Sequence, residues 1–377
     1  MSESRADDGP ATGTVNRSLR LLQVGAGSMG RGWLRNLTES DEVELVGVAD
    51  LDVATAKAAL EKLGAAHLPV AQSLPALVDE VAADAVVDVT IPEAHHSVTL
   101  EALRRRLPVL GEKPLAATLA EALEMVAAAQ AYDTLFMVSQ NRRYDPNLFA
   151  YRRMLRQLGT LGILTATFFK APHFGGFRDA MDHPLVLDMA IHTFDSVRFL
   201  TGAEPVAVYC EEYNPSWSWY AGDAATTAIF ELSDGSRFVY TGSWCSEGLE
   251  TSWNSSWRAS GEHGAALWDG DGPPAVEIVD DRGAVPQGDP ETDPHPGIAG
   301  SLRDFVQALR TDHSPMGEAR DNLMSLAMVH AAIASADSRQ RVLVADVLER
   351  AHTDALSRTT GEVRDVLSSW TTLTPPA

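Results

Sequence analysis

Between Leu19 and about Ser139, short apolar runs alternate with longer stretches of helical periodicity. The apolar runs are nearly continuous, which is typical of strands buried on both faces, and they read LRLLQVG, VELVGVAD, DAVVDVT, LPVLGEKP and TLFMVSQ. Alanine-rich stretches such as VATAKAALEKL and LAEALEMVAAAQAY lie between them and predict helices. Repeated strand–helix units of this kind predict an α/β domain with a doubly wound parallel sheet over residues 18–140.

Past Pro146 the pattern changes to shorter segments in which apolar and polar residues alternate. After a predicted helix at Asn147–Leu158, five segments favour an antiparallel sheet, and they read LGILTATFFKA, EPVAVYCEEY, ATTAIFEL, SRFVYTGSW and LETSWNSSWRASG. Asp269–Pro296 is rich in Gly, Pro and Asp and predicts an irregular excursion or loose hairpins on the surface. Helical periodicity returns in GIAGSLRDFVQALR and NLMSLAMVHAAIASAD. We therefore predict an α+β domain over residues 141–345 and a C-terminal extension over residues 346–377.

Composition narrows the classes of partner. The 377 residues include 52 acidic and 30 basic side chains, and the net charge of -22 disfavours binding to nucleic acid or to an anionic membrane surface. Two cysteines, Cys210 and Cys245, supply neither a disulfide scaffold nor a thiolate metal cluster, which fits a cytoplasmic protein. Residues 1–17 lack the basic start and apolar stretch of a signal peptide and predict a disordered tail, and no segment approaches the ~20 apolar residues of a membrane span.

The strongest local motif is Gly25-Ala26-Gly27-Ser28-Met29-Gly30, which follows a predicted strand and opens a predicted helix. Glycines there permit a tight turn and close approach of a pyrophosphate to the backbone, while the helix N-terminus offers free N–H groups. Asp50 ends the next predicted strand, where a carboxylate accepts ribose hydroxyls and repels a 2′-phosphate. The pair favours NAD over NADP; the alternative is a ligand-free turn with a helix-capping Asp50.

Two further segments carry candidate chemistry. Lys113, in Gly111-Glu112-Lys113-Pro114, follows a predicted strand at the edge where ligands of such sheets bind, although an exposed lysine is usually only a solvated charge. Asp188 and His192 are four residues apart and share a face of a predicted helix, with Asp195 roughly adjacent. A histidine suits removal of a hydroxyl proton, but a hydrogen-bonded core histidine is the alternative. An Asp/His pair could also bind zinc, yet no third ligand is recognisable, so no metal is expected.

These pieces, in this order, resemble the glucose–fructose oxidoreductase / inositol dehydrogenase / MocA (Gfo/Idh/MocA) family from Leu19 to about Arg341. The resemblance also draws on Ala49-Asp50, Thr90-Ile91-Pro92 followed by His96, Asn141-Arg142-Arg143-Tyr144-Asp145, and Phe194-Asp195 with Leu200-Thr201-Gly202. It implies a Rossmann domain that binds NAD, followed by an open, mainly antiparallel sheet with helices on one face. It also implies a homodimer or homotetramer built through the outer face of that sheet.

Motifs and resemblance together imply three sets of site residues. The catalytic residues are Lys113, Asp188 and His192. The cofactor-binding residues are Gly25, Gly27, Ser28, Met29, Gly30, Asp50, Thr90, Pro92, His96, Glu112 and Lys113. The substrate-binding residues are Lys113, Arg142, Asp188 and His192, together with His173 of a loop, Ala171 to His183, that departs from the glycine run common in the family. His183 is a second candidate contact from that loop, while Arg142, Arg143 and Arg178 could locally favour an anionic substrate.

The resemblance implies an NAD-dependent dehydrogenase that oxidises a secondary hydroxyl of a sugar, sugar derivative or cyclitol. His192 would accept the hydroxyl proton, Lys113 would stabilise the developing alkoxide, and Asp188 would orient them or bind a neighbouring hydroxyl. Two alternatives stay open: a redox-neutral NAD-dependent epimerase, eliminase or glycosidase, and a dinucleotide-binding regulator without chemistry. Six of the eight tryptophans fall in the second domain, where we expect most of them to pack in the sheet or an interface.

Overall fold

A computed structural model describes residues 17–279, 295–311 and 313–373 of the chain. The predicted tail, residues 1–17, lies outside the described residues except for Arg17, and so do residues 280–294 of the predicted irregular excursion. Two sheets, one of six strands and one of eight, organise the described residues.

The first sheet is the predicted doubly wound parallel sheet. Its strand order is β3-β2-β1-β4-β5-β6, and every neighbouring pair is parallel. The apolar runs form its strands because they are buried on both faces, as in β5, where all four residues are buried. The elements are β1 (Leu19–Val24), α1 (Ser28–Glu39), β2 (Val43–Ala49), α2 (Val53–Lys62), β3 (Val70–Ala71), α3 (Leu74–Val78), β4 (Ala85–Asp88), α4 (Pro92–Arg104), β5 (Val109–Glu112), α5 (Leu119–Ala131) and β6 (Phe136–Ser139).

The second sheet has the order β13-β12-β11-β7-β10-β9-β8-β14, with β7 and β10 parallel and all other pairs antiparallel. Alternate residues are buried, as the polar–apolar alternation predicts, and helices cover that inner face; Phe194 of α7 lies with its ring centroid 4.9 Å from that of Phe230. The strands are β7 (Leu161–Phe169), β8 (Pro205–Tyr213), β9 (Ala225–Leu232), β10 (Arg237–Ser243), β11 (Ser256–Gly261), β12 (Gly264–Trp268), β13 (Ala275–Ile278) and β14 (Val342–Leu343).

Helices in the C-terminal half pack against helices that flank the first sheet. Leu302, Phe305 and Val306 of α8 share a buried cluster with Trp33 of α1. In the C-terminal region, Trp370 Nε1 donates to Gln130 Oε1 of α5 over 2.9 Å. The predicted domain boundaries stay predictions. The helices are α6 (Pro146–Leu155), α7 (Ile191–Thr201), α8 (Gly297–Arg310), α9 (Ala319–Ser338), α10 (Val344–Arg358) and α11 (Gly361–Ser369).

Two details of the second half differ from the sequence prediction, and a third follows one of its alternatives. The predicted strand LETSWNSSWRASG pairs only from Ser256 onward, because turns held by side chains such as that of Ser252 precede it. The segment Asp269–Pro296, predicted as an irregular excursion or loose hairpins, contains β13, which pairs antiparallel with β12. Residues Leu185–Ala190, expected to be ordinary α-helix, form one wide π-helical turn before α7.

Candidate active site

The glycine-rich turn between β1 and α1 leaves room for a ligand only at its tip. A Cβ on Gly25, where φ is +96°, would lie 2.4 Å from the Val89 carbonyl oxygen, and one on Gly30 would lie 2.4 Å from that of Gly25. At Gly27 nothing lies within 4 Å of such a Cβ. No side chain caps α1 and its first turn holds no acidic residue, so its N–H groups are available to a pyrophosphate. Ser28 and Met29 begin that helix, and the exposure of Met29 fits the predicted contact.

Gln23 holds the turn in shape. Its buried Nε2 donates to the carbonyls of Gly25 over 2.7 Å and Gly30 over 2.9 Å, tying both ends of the turn together. Sequence reasoning missed this role, although an amide inside the apolar strand LRLLQV is itself a signal, because a buried polar group needs partners.

Asp50 lies beside the same turn, one residue past the end of β2. Its Oδ2 accepts from the Ala26 N–H over 2.6 Å and its Oδ1 from the Asp52 N–H over 2.8 Å. The carboxylate therefore faces the start of the glycine-rich turn, where the adenosine ribose of NAD is expected. Helix capping of α2 falls to Asp52 instead, which accepts from Ala54 and Thr55, so Asp50 is not the capping residue.

The turn after β4 lies on the side of the site where the cofactor is expected, and His95 links it to the loop that carries Lys113. The His95 ring bonds with the carbonyl oxygens of Thr90 over 3.1 Å and Pro114 over 2.8 Å. His96, which the resemblance pointed to, bonds instead with Glu124 of α5 over 2.9 Å. Thr90 and Pro92 stand at the end of β4 and the start of α4, and their predicted contacts with NAD stay predictions, as does that of His96.

Glu112 is a buried anchor under the lysine loop. Its Oε1 accepts from Trp33 Nε1 over 2.6 Å and its Oε2 from the Lys113 N–H over 3.1 Å. Burial raises the pKa of Glu112, while these donors and the Lys113 charge act in the opposite direction. Since both oxygens bond within the chain, the structure shows Glu112 holding the loop that carries Lys113.

Lys113, Asp188 and Arg178 form one charged cluster. Lys113 Nζ donates to the Asp188 carbonyl oxygen and to Oδ1, each over 2.9 Å, and Arg178 Nε donates to Oδ2 over 2.6 Å. Burial alone would raise the pKa of Asp188, but the charges of Lys113 and Arg178 outweigh it and lower that pKa. The cluster therefore contains two cations and one carboxylate around a site that β5 and the π-helical turn bring together.

His192 lies buried at the start of α7, and its Nδ1 has no hydrogen-bond partner among the described residues. Burial, with the charges of Arg142 and Lys113, lowers the pKa of His192 well below 6.5, so the ring is neutral near pH 7. It lines a small cavity with Arg142, Asn254 and Trp268. In the described part of the chain no hydrogen bond joins Asp188 to His192, so the expected fixing of the histidine tautomer by this carboxylate is absent from the structure.

The neighbouring arginines 142 and 143 have different surroundings. Arg142 Nη1 donates to the Trp253 carbonyl and, over 2.8 Å, to Asn254 Oδ1, and burial lowers the pKa of Arg142 to about 10. Arg143 donates to both oxygens of Asp195 over 2.7 Å. Asp195 is thus engaged with Arg143 and does not extend the Asp188–His192 pair, and Arg143 is not free for an anionic substrate.

The loop from Ala171 to His183 supplies Arg178 rather than its histidines to the charged cluster. His173 is exposed, lies 3.2 Å from Glu247 Oε1 and stacks on Trp219 with ring centroids 3.8 Å apart. His183 Nδ1 bonds with Glu212 over 2.8 Å, and this bond raises the pKa of His183. The predicted substrate contact of His173 stays a prediction. Trp244, Trp257 and Trp268 are buried as expected, whereas Trp217 and Trp253 are exposed.

Comparisons with known proteins agree with this architecture. A family model described as the oxidoreductase family with NAD-binding Rossmann fold, GFO/IDH/MocA, matches residues 19–140, and the GFO/IDH/MocA C-terminal domain matches residues 156–267. The rhizopine catabolism protein MocA of Rhizobium meliloti is 31% identical over 222 residues, 58% of this chain and 68% of that protein. Inositol 2-dehydrogenase 1 of Paenarthrobacter aurescens is 31% identical over 212 residues, 55% of this chain and 61% of its own length.

Solved structures share the fold. An oxidoreductase from Agrobacterium radiobacter, in complex with NAD+, L-tartaric acid and magnesium, aligns with a TM-score of 0.76 at 18% identity, covering 87% of this chain and 99% of that one. The WlbA dehydrogenase of Bordetella pertussis, in complex with NADH and UDP-GlcNAcA, aligns with a TM-score of 0.74 at 19% identity, covering 87% and 99%.

The described residues contain neither a cluster of metal-ligating side chains nor a helix that could span a membrane. Within residues 17–279, 295–311 and 313–373, no group of three or more His, Cys, Asp or Glu side chains is placed to hold a metal ion. Over the same ranges, no helix has the length and apolar character needed to cross a membrane.

Proposed function

Because the chain belongs to the Gfo/Idh/MocA oxidoreductase family and has its NAD-binding Rossmann domain, we propose that it oxidises a secondary hydroxyl of a sugar, sugar derivative or cyclitol. The observation that carries the proposal is the placement of Lys113, Asp188 and the neutral, buried His192 around one site at the carboxyl end of β5. Ligands of doubly wound sheets bind at that end.

His192 is the group that accepts the proton of the substrate hydroxyl. Its ring is neutral near pH 7, so it can take up a proton when the hydroxyl releases one. NAD, which the glycine-rich turn and Asp50 would hold, would supply the acceptor for the hydride that leaves the same carbon, so that the products would be a ketone and NADH. The positive charges of Arg142 and Lys113 contribute to the low pKa of His192 and so help to keep its ring unprotonated before substrate binds.

Lys113 stabilises the oxygen on which negative charge develops. An ammonium has three N–H donors, and two of them already reach Asp188, so the third is left for the substrate oxygen. Asp188 fixes the direction of that ammonium, and Arg178 holds the other carboxylate oxygen in place. We therefore assign the chemical roles to Lys113 and His192. Asp188 holds Lys113 in place and accepts a hydrogen bond from a neighbouring substrate hydroxyl.

The test is NADH formation by the purified protein with NAD or NADP across inositols, aldoses, anhydrosugars and glycosides. We expect turnover of at least one ring polyol, with NAD preferred because the Asp50 carboxylate repels a 2′-phosphate. Silence across the panel, with NAD found bound to the protein, would instead favour a redox-neutral reaction.

The pKa of His192 predicts a pH profile. A base that must be neutral fails only when it is protonated, and a pKa well below 6.5 places that loss well below pH 6.5. We expect log kcat/KM to stay nearly level as pH falls from 8 to 6, and His192→Gln to lower it roughly 10²–10⁴-fold throughout. An acid limb centred at or above pH 6.5 that vanishes in His192→Gln would refute the assignment.

We also propose that the chain forms a homodimer or homotetramer through the outer face of the second sheet. Tyr209 pairs with Ile229, and Ile229 with Val239, so these side chains form a row across three strands, and Leu267 extends the exposed apolar surface. In a self-complementary interface both copies contribute the same surface, so a charge introduced in the middle of it occurs twice, once from each copy. Ile229→Lys is expected to reduce the mass measured by light scattering to that of one chain; an unchanged mass would place the contact elsewhere.

Reduced cysteines and NAD dependence lead us to assign the reaction to the cytoplasm.

A further inference from the structure

Three exposed aromatic side chains lie beside the charged cluster, and we call them the aromatic rim: Phe174, Phe177 and Trp253. Their exposed fractions are 58%, 56% and 43%. Large aromatic side chains left in water next to a reactive site have apolar surface that a ligand can cover.

The rim connects the two halves of the site. The Arg178 guanidinium, whose Nε holds Asp188, lies 5.4 Å from the ring centroid of Phe174 and 4.7 Å from that of Phe177. Trp253 accepts from Arg142 through its carbonyl oxygen, and Arg142 lines the His192 cavity. The rim therefore borders the Lys113–Asp188 side through its rings and is tied to the His192 side through the backbone of Trp253.

Packing holds the rim in a fixed arrangement. Phe174 and Trp253 are stacked, with ring centroids 6.3 Å apart and planes 24° apart, and Phe168 supports Trp253 at 6.2 Å. Lys170 Nζ lies 4.7 Å from the centroid of Trp253 and is itself paired with Glu250 over 2.8 Å. An ordered surface of this kind loses little side-chain entropy when a ligand covers it.

The rim joins aromatic faces to charged hydrogen-bonding groups. A sugar ring has the matching chemistry, because its C–H face stacks on aromatic rings while its hydroxyls meet charged side chains at the edge. The reactive cluster, Lys113 with Asp188 and His192, is polar and suits a single polyol ring. The rim lies next to it and is positioned to contact whatever is attached to that ring.

We propose that the aromatic rim is a second subsite, which binds a sugar ring linked glycosidically to the ring that is oxidised. This inference rests on the proposed function and names its substrate class as glycosides rather than free cyclitols or monosaccharides. Arg178 then acts in both subsites, since it holds Asp188 through Nε and its guanidinium carbon lies over the rings of Phe174 and Phe177.

The experiment compares linked and free rings in the full-length protein with NAD. Cellobiose and galactinol are the linked probes, and glucose and myo-inositol are the free ones. We expect the Phe174→Ala/Trp253→Ala variant to lower the ratio of kcat/KM for linked over free rings about tenfold, the scale of aromatic stacking. Trp253→Phe should retain most of the ratio, and Leu343→Ala, an exposed apolar truncation in β14 at the far edge of the sheet, should leave it unchanged.

Each outcome separates the subsite from the reaction. A ratio that changes less than twofold in the double variant, while NADH is still produced, overturns the subsite and leaves the proposed function standing. If the wild type oxidises neither these probes nor any other sugar or cyclitol of the panel, the proposed function fails, and saturation-transfer NMR decides the subsite. Transfer to the protons of the non-reducing glucose of cellobiose that is lost in the double variant supports the subsite, and no transfer in the wild type overturns it.

Discussion

Lys113→Met is expected to lower kcat by roughly 10²–10⁴-fold, the scale of a positioned electrostatic or acid–base group. The substitution removes the ammonium that donates to the Asp188 carbonyl oxygen and to Oδ1, while keeping a side chain of similar length. Because Arg178 still holds Asp188 Oδ2, the π-helical turn keeps one of its two cationic contacts. Steady-state NADH formation on the substrate found by the panel measures the effect.

The control for Lys113→Met is NAD affinity. Lys113 is itself a predicted cofactor contact, so titration calorimetry first gives the Kd of the variant for NAD, and kcat is then compared with the wild type at saturating NAD. A kcat within threefold of wild type, with NAD still bound, would remove Lys113 from the chemistry.

Arg143→Met is expected to destabilise the protein by about 3–5 kcal/mol, since removing one partner of a buried ion pair leaves an uncompensated charge. Arg143 donates to both Asp195 oxygens and, over 3.1 Å, to Asp321 Oδ2. Among the described residues, Asp195 would keep the Ser325 hydroxyl as its one side-chain donor, over 2.7 Å. Urea unfolding followed by circular dichroism measures the loss.

Arg142→Met is the matched control, one residue away. Arg142 makes no ion pair with a carboxylate among the described residues, and its replacement should cost about 1 kcal/mol or less. Equal losses of unfolding free energy in the two variants would contradict the distinction between Arg143 as a structural arginine and Arg142 as a substrate-facing one.

Periodicity predicted the parallel sheet well because its strands are nearly continuous apolar runs and its helices are rich in alanine. The glycine-rich turn was predicted equally well, because Gly25 and Gly30 occupy positions where any Cβ would meet backbone. The placement of Lys113 followed from the end of a strand. These features depend on local sequence, which is why one sequence sufficed.

Other parts of the site depend on contacts between distant segments. Arg178 sits in an irregular loop, and nothing in its neighbourhood predicts that it reaches Asp188. The π-helical turn at Leu185–Ala190 is not predicted by a pattern of 3.6 residues per turn. The partner of Asp195 is Arg143, 52 positions earlier, which no spacing rule indicates.

The return of α8 to Trp33 limits how this chain can be divided or recombined. A fragment ending after β6 would expose the apolar surface that Leu302, Phe305 and Val306 cover, and should aggregate on expression. A chimera that grafts the substrate half of a relative onto this cofactor half would need residues 297–310 to come from the same parent as α1. Recombination within this family therefore requires crossovers on both sides of α8 rather than a single one near residue 140.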